Sequence, residues 1–129
     1  WRINVKAGFT PNATDEYSIN YTNQRGEKSA PLHVAGQRVP PQRYWQWPEW
    51  DLQSLSWLSK TAIGEASYIK TNVCYNTFDN LLRSFNGPDY KFQTRTQDFN
   101  SYYDDYAYGG FVEMGTNLIP MNTLKGAIH

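Results

Sequence analysis

The chain of 129 residues has one cysteine, Cys74, and two histidines, His33 and His129. A single thiol excludes an internal disulfide, so stability has to come from burial and hydrogen bonding. With one imidazole at the terminal position, a two-histidine metal site or a Ser-His-Asp relay would have to be built around His33 alone. His33 stands between Leu32 and Val34 in a strand-like run, and Cys74 lies in another, away from any nucleophile loop signature. Both are read as structural, and no catalytic residue, metal site or cofactor is expected. Charge is also scarce: 19% of residues are charged, with 12 Lys and Arg balanced by 12 Asp and Glu. No basic run exceeds a pair, so clustered phosphate contacts are missing and nucleic acid is not an expected partner. Neither GxGxxG nor GxxxxGK[ST] occurs, which removes the glycine-rich phosphate loops. No apolar run approaches the ~18 residues of a membrane-spanning helix, and a membrane is not expected as a partner. The adjacent acids Asp104 and Asp105 lack the spaced oxygen ligands of a calcium loop and read as a solvated turn before a strand. Two N-glycosylation sequons begin at Asn12 and Asn20 and matter only in a secreted protein.

Aromatic residues, by contrast, make up 16% of the chain. Four of the five tryptophans fall within RYWQWPEWDLQSLSWL, residues 43–58. Pro48 divides this stretch. Tyr44, Trp45 and Trp47, with Gln42, Glu49 and Asp51 nearby, are the candidates for recognition of a carbohydrate or protein ligand. Trp50 and Trp57 keep company with Leu52, Leu55 and Leu58 and are expected to be buried.

Period-2 alternation dominates the rest. WRINVKAGF places Trp1, Ile3, Val5 and Ala7 on one face and Arg2, Asn4 and Lys6 on the other. EYSINYT, Leu32 to Val39, SYIKTNVCY, DYKFQTRTQ and YAYGGFVEM read as further strands, and TNLIPMNTLKGAIH as a tail. NTFDNLLRSFNGP reads as a helix, capped by Thr77, with Phe78, Leu81, Leu82 and Phe85 at helical spacing and a stop at Gly87 and Pro88. Asp51 to Leu58 is open between a short helix and an irregular loop. The sum is a mainly β chain, an antiparallel sandwich or jelly-roll-like arrangement with one or two short helices in connections. It is read as a single β-rich domain over 1–129. Because the first strand is under way at Trp1, the expectation is a fragment of a longer polypeptide.

WRINVKAGF, LHVAGQRVPP, WDLQS, SYIKTNVCY and DDYAYGGFVEMG, in that order, resemble the later strands of a jelly-roll capsid protein from a small non-enveloped virus. The order is similar to picorna-like capsids, and the run from His33 to Pro40 to a strand of insect parvovirus capsids. The resemblance implies a non-enzymatic assembly role in a virion, with other copies or related subunits as partners. The chain departs from it at Val73-Cys74-Tyr75, where picorna-like capsids carry a proline-tyrosine. The composition independently leaves open a non-catalytic carbohydrate- or protein-binding β-sandwich module that uses Tyr44, Trp45 and Trp47.

Overall fold

A computed structural model describes residues 1–31 and 43–129. Strand accounts for 70% of the described residues and none of them is helical. Six strands follow one another: β1 (Arg2–Phe9), β2 (Glu16–Ser29), β3 (Tyr44–Ile63), β4 (Ser67–Phe85), β5 (Asn100–Thr116) and β6 (Leu124–Ile128). They form one antiparallel sheet in the order β1-β2-β3-β4-β5-β6, each strand beside its sequence neighbours. The mainly β, antiparallel class is as the alternation predicts. All six strands share one sheet, whereas a sandwich needs a second. The strand expected over Leu32 to Val39, with His33, lies outside the described residues.

The expected helices are absent. Residues 77–85 extend β4, and residues 51–58 are the middle of β3. The helical spacing of Phe78, Leu81, Leu82 and Phe85 has another origin. Leu81 and Leu82 are both buried, as are Asn80, Ser84 and Phe85, so the end of β4 is covered on both of its faces. A strand covered on both faces carries apolar residues at consecutive positions, and a short run of that kind matches the helical template as well. Pro48 sits within β3 without ending it. Its fixed φ suits extended backbone, at the cost of one donor to the ladder.

Residues 90–97, expected to be a strand, are loop. Tyr90 has a φ of 53°, which interrupts an extended run. Its ring meets Phe85 edge-on at 5.6 Å. Arg95 holds the loop in place, donating through its guanidinium to the Phe85 carbonyl and to Asp98 at 2.8 Å. The residues expected to form a tail instead supply β6, whose register sets Val112 opposite Ile128 and Thr116 opposite Leu124. Asp104 and Asp105 lie inside β5.

The chain divides into two compact units. Unit 1 comprises Trp1, Gln24–Leu52 and Phe78–Asp105; unit 2 comprises Arg2–Asn23, Gln53–Thr77 and Tyr106–His129. Among the described residues, every buried hydrophobic side chain, namely Leu81, Leu82 and Phe85, belongs to unit 1.

Candidate functional site

In unit 2 the alternation of each strand is the same when carried to its neighbours, and cross-strand contacts fix which residues share a side. Phe9 stacks on Tyr17 and Tyr17 on Trp57, with ring centroids 6.5 and 6.0 Å apart. The Tyr17 and Thr61 hydroxyls hydrogen-bond at 3.0 Å, Ser59 bonds Thr71, and Ser67 donates to Thr116 at 2.7 Å. Tyr75 meets Tyr108 at 4.8 Å. With the alternation, these contacts place Ile3, Val5, Ile19, Leu55, Val73, Val112, Met114, Leu124 and Ile128 on one continuous apolar face. Most of these side chains are exposed, Val73 to 57% and Ile128 to 78%.

The opposite face is polar. Asn4 donates to Thr22 at 2.6 Å, Tyr68 donates to Glu113 at 2.7 Å, and Lys70 pairs with Glu113 at 3.5 Å. By alternation, Arg2, Lys6, Glu16, Lys60 and Lys125 join this side. Every charged residue within the strands of unit 2 therefore lies on one face, and none on the other. Three pairs of hydroxyls on the apolar face, Tyr17 with Thr61, Ser59 with Thr71 and Ser67 with Thr116, bond one another across the strands, which is how polar groups are accommodated beside hydrocarbon. Two glycines of β5 let this unit close up. A Cβ at Gly110 would stand 2.5 Å from the Asn72 carbonyl oxygen, and one at Gly115 would stand 2.4 Å from the Tyr68 ring, which covers it.

Unit 1 holds the aromatic candidates. Trp45 and Trp47 meet edge-on at 6.2 Å, Trp45 meets Phe99 at 6.3 Å, Trp47 meets Trp50 at 6.2 Å, and Trp50 meets Phe78 at 4.7 Å. Lys28 lies over the rings of Trp47 and Trp50, and Arg43 over Trp45. Tyr44, Trp45, Trp47 and Trp50 are all half-buried, so the proline does not divide a recognition platform from a core. Three of the four tryptophans are packed against each other and against cations. Trp57 is elsewhere, in unit 2, and is 45% exposed, contrary to the burial expected from its leucine neighbours. Those leucines follow the same rule: Leu55 and Leu58 are exposed on opposite sides of β3.

Acidic residues also gather in unit 1. Asp79 is held above the ordinary carboxylate range, first by desolvation and then by Asp104, with which it shares a hydrogen bond, and by Asp51. Arg25 pairs with Asp51 at 3.3 Å. Among the described residues no group of His, Cys, Asp and Glu is arranged to hold a metal ion.

No family model matches the chain, and neither a curated protein nor a solved structure is similar to it.

Alternation within a strand shows which of its residues share a side, and not which side of the neighbouring strand they join. Sequence carried little of that signal: among the strand stretches 2–9, 16–23, 53–63, 67–77, 106–116 and 124–128, only the first holds two charged residues, Arg2 and Lys6, both on one face, and each of the others holds one.

Proposed function

We propose that unit 2 is a stretch of the wall of a transmembrane β-barrel, with its apolar face against lipid and its polar face toward a water-filled lumen. The observation that carries this reading is the partition of charge, complete within the strands of the unit. A soluble sheet with one dry face covers that face with another layer, whereas a barrel wall leaves it to hydrocarbon. The parts of β3, β4 and β5 that fall in unit 2, residues 53–63, 67–77 and 106–116 of strands 20, 19 and 17 residues long, match the ~9–11 residues that a tilted strand needs to cross a bilayer. Among the described connections, residues 10–15, 64–66 and 117–123 are short links and belong to unit 2, while 86–99 is long and belongs to unit 1, the two lengths that such barrels place at opposite ends. Gly64, with a φ of 63°, supplies the left-handed residue that the tightest link requires. Tyrosines stand where a headgroup girdle is expected, Tyr21, Tyr75 and Tyr106 lying near the ends of their segments remote from the short links. Among the described residues β1 and β6 are the sheet's edges, and in hydrocarbon their free backbone groups require further strands, from this polypeptide or another copy.

A shell subunit of the jelly-roll kind would also cover an apolar sheet face, with a second sheet. It gives no reason for hydroxyls paired on that face or for its bilayer length. A binding module built on Tyr44, Trp45 and Trp47 concerns unit 1, where these residues begin β3, and is compatible with a barrel wall formed by unit 2.

The test is a single-cysteine scan over residues 69–76 in a Cys74→Ser background, with the chain refolded into liposomes and each cysteine carrying an environment-sensitive fluorophore. Positions 69, 71, 73 and 75 are expected to be blue-shifted and quenched by brominated lipid, and 70, 72, 74 and 76 to remain in water. Uniform water exposure along β4, with the chain outside the lipid, sinks the barrel and returns the reading to a soluble assembly.

A further inference from the structure

We infer that the polar face of unit 2 is a surface for small anions; on the barrel reading, which this inference extends, the lumen it lines prefers anions to cations. The face carries Lys6 on β1, Lys60 on β3, Lys70 on β4 and Lys125 on β6, with Arg2, against only Glu16 on β2 and Glu113 on β5. Every strand contributes a charge, and the balance is basic although the whole chain is neutral.

The acids are unevenly engaged. Glu113 is held by Lys70 at 3.5 Å and accepts the Tyr68 hydroxyl at 2.7 Å. Among the described residues, neither Lys6 nor Lys60 is in an ion pair. These two lysines nevertheless line a common cavity of about 220 Å³ with Lys70, Glu16, Ser18 and Leu58. Glu113 answers Lys70, which leaves the Lys6 and Lys60 ammonium groups around the hollow with one carboxylate, Glu16, and an excess positive charge that it does not neutralise. A mobile anion does so, with the Ser18 hydroxyl available as a further donor. Rings of Lys or Arg select anions in pores by the same electrostatics.

The experiment reads the potential directly and does not require a closed pore. Leu58 is 41% exposed and lines the cavity, so Leu58→Cys in a Cys74→Ser background places a thiol among the lysines with no change of charge. Ser56→Cys, the preceding position of the same face on β3, is a second probe. Rates are measured with an anionic and a cationic methanethiosulfonate and normalised to free cysteine. At low salt the anionic reagent is expected to react faster by on the order of tenfold. The preference should collapse near 1 M salt, where the screening length is ~3 Å, and should vanish in the Lys60→Gln, Lys70→Gln double variant. Equal rates, or a cationic preference at both probes, overturn the inference. Alternation in the β4 scan without an anionic preference defeats it and leaves the barrel standing. An anionic preference without alternation leaves a basic anion surface and defeats the barrel.

Discussion

Units 1 and 2 share strands β2 to β5 and place their apolar residues by opposite rules. Unit 1 buries Leu81, Leu82 and Phe85, packs Trp45, Trp47 and Trp50 against each other, and ties its 86–99 loop down with Arg95 and Asp98. Unit 2 leaves Ile3, Val5, Ile19, Trp57, Val73, Val112 and Ile128 exposed on a side that carries no charge. Exposed apolar residues scattered over a surface need no explanation; a contiguous face of them does. The contrast teaches that the aromatic wealth of this chain has two uses. In unit 1 Trp45, Trp47 and Trp50 pack on one another, and in unit 2 Trp57, Tyr75 and Tyr108 stand exposed on the uncharged face.

The largest effect expected is in unit 1. Leu81→Ala, at a side chain only 1% exposed, should cost ~2–5 kcal/mol, read as a drop in the unfolding midpoint. A loss below about 1 kcal/mol would mean that unit 1 has no core of its own and that the contrast is false.

Next comes a charge on the apolar face. Val73→Arg should destabilise insertion by ~2–4 kcal/mol in a lipid-vesicle folding titration, whereas Asn72→Arg, one residue away on the polar face, should change it little. Equal effects at the two positions would erase the distinction between the faces.

Gly110→Ala is expected to cost ~1–3 kcal/mol, because the new methyl meets backbone at 2.5 Å and the strands must move apart. Gly115→Ala meets the tip of the Tyr68 ring, which can swing aside, and should cost less. Finding the reverse order would show that Tyr68 is more firmly held than β4 itself.

Two aspartates of unit 1 should titrate with opposite signs. Asp79 has a raised folded-state pKa, so the folded form holds its proton more tightly, and stability falls as pH rises from the ordinary carboxylate value of 3.8 through the raised one. Asp98 is lowered, chiefly by its hydrogen bond from Arg95, so its contribution is present above 3.8 and lost as pH falls through the folded value. Asp79→Asn should remove the first slope and Asp98→Asn the second, measured as unfolding midpoints between about pH 3 and 7 in the range where carboxylates titrate. A single slope of one sign in the wild type, unchanged by either substitution, would break the assignment.

The smallest effect expected is that of Trp57→Ala. The ring is 45% exposed and stacks only on Tyr17, so the loss in water should be well below the ~3–5 kcal/mol of a buried tryptophan. In liposomes the same substitution should weaken insertion. A large loss in water would place Trp57 in a core and count against the lipid face.

Much of this was legible in residue order. The alternation of WRINVKAGF, EYSINYT, SYIKTNVCY and YAYGGFVEM marks strands because successive side chains point to opposite sides, a property that needs no partner. The apparent helix at 77–85 was not decidable from sequence, since burial of Leu81 and Leu82 on both sides of a strand and burial of one helical stripe leave the same short pattern. Alternation at Tyr90 to Gln97 likewise promised a strand, but hydrogen bonds from Arg95 and Gln93 hold that segment as a loop. The tryptophan stretch misled in the other direction: leucines beside Trp57 suggested a core, yet in an extended strand neighbours in sequence are not neighbours on a face.

The sequence by itself determined that the chain is mainly β and that its side chains alternate between two faces along each strand stretch. Those are local properties, set by composition and by the two-residue period of an extended backbone. Only the tertiary structure decided that the strands lie side by side in one sheet, so that six separate alternations add to a single apolar face and a single basic one. Register is a relation between distant segments, fixed by pairing such as Val112 with Ile128 and by hydroxyl contacts such as Ser67 with Thr116, and no one strand contains it.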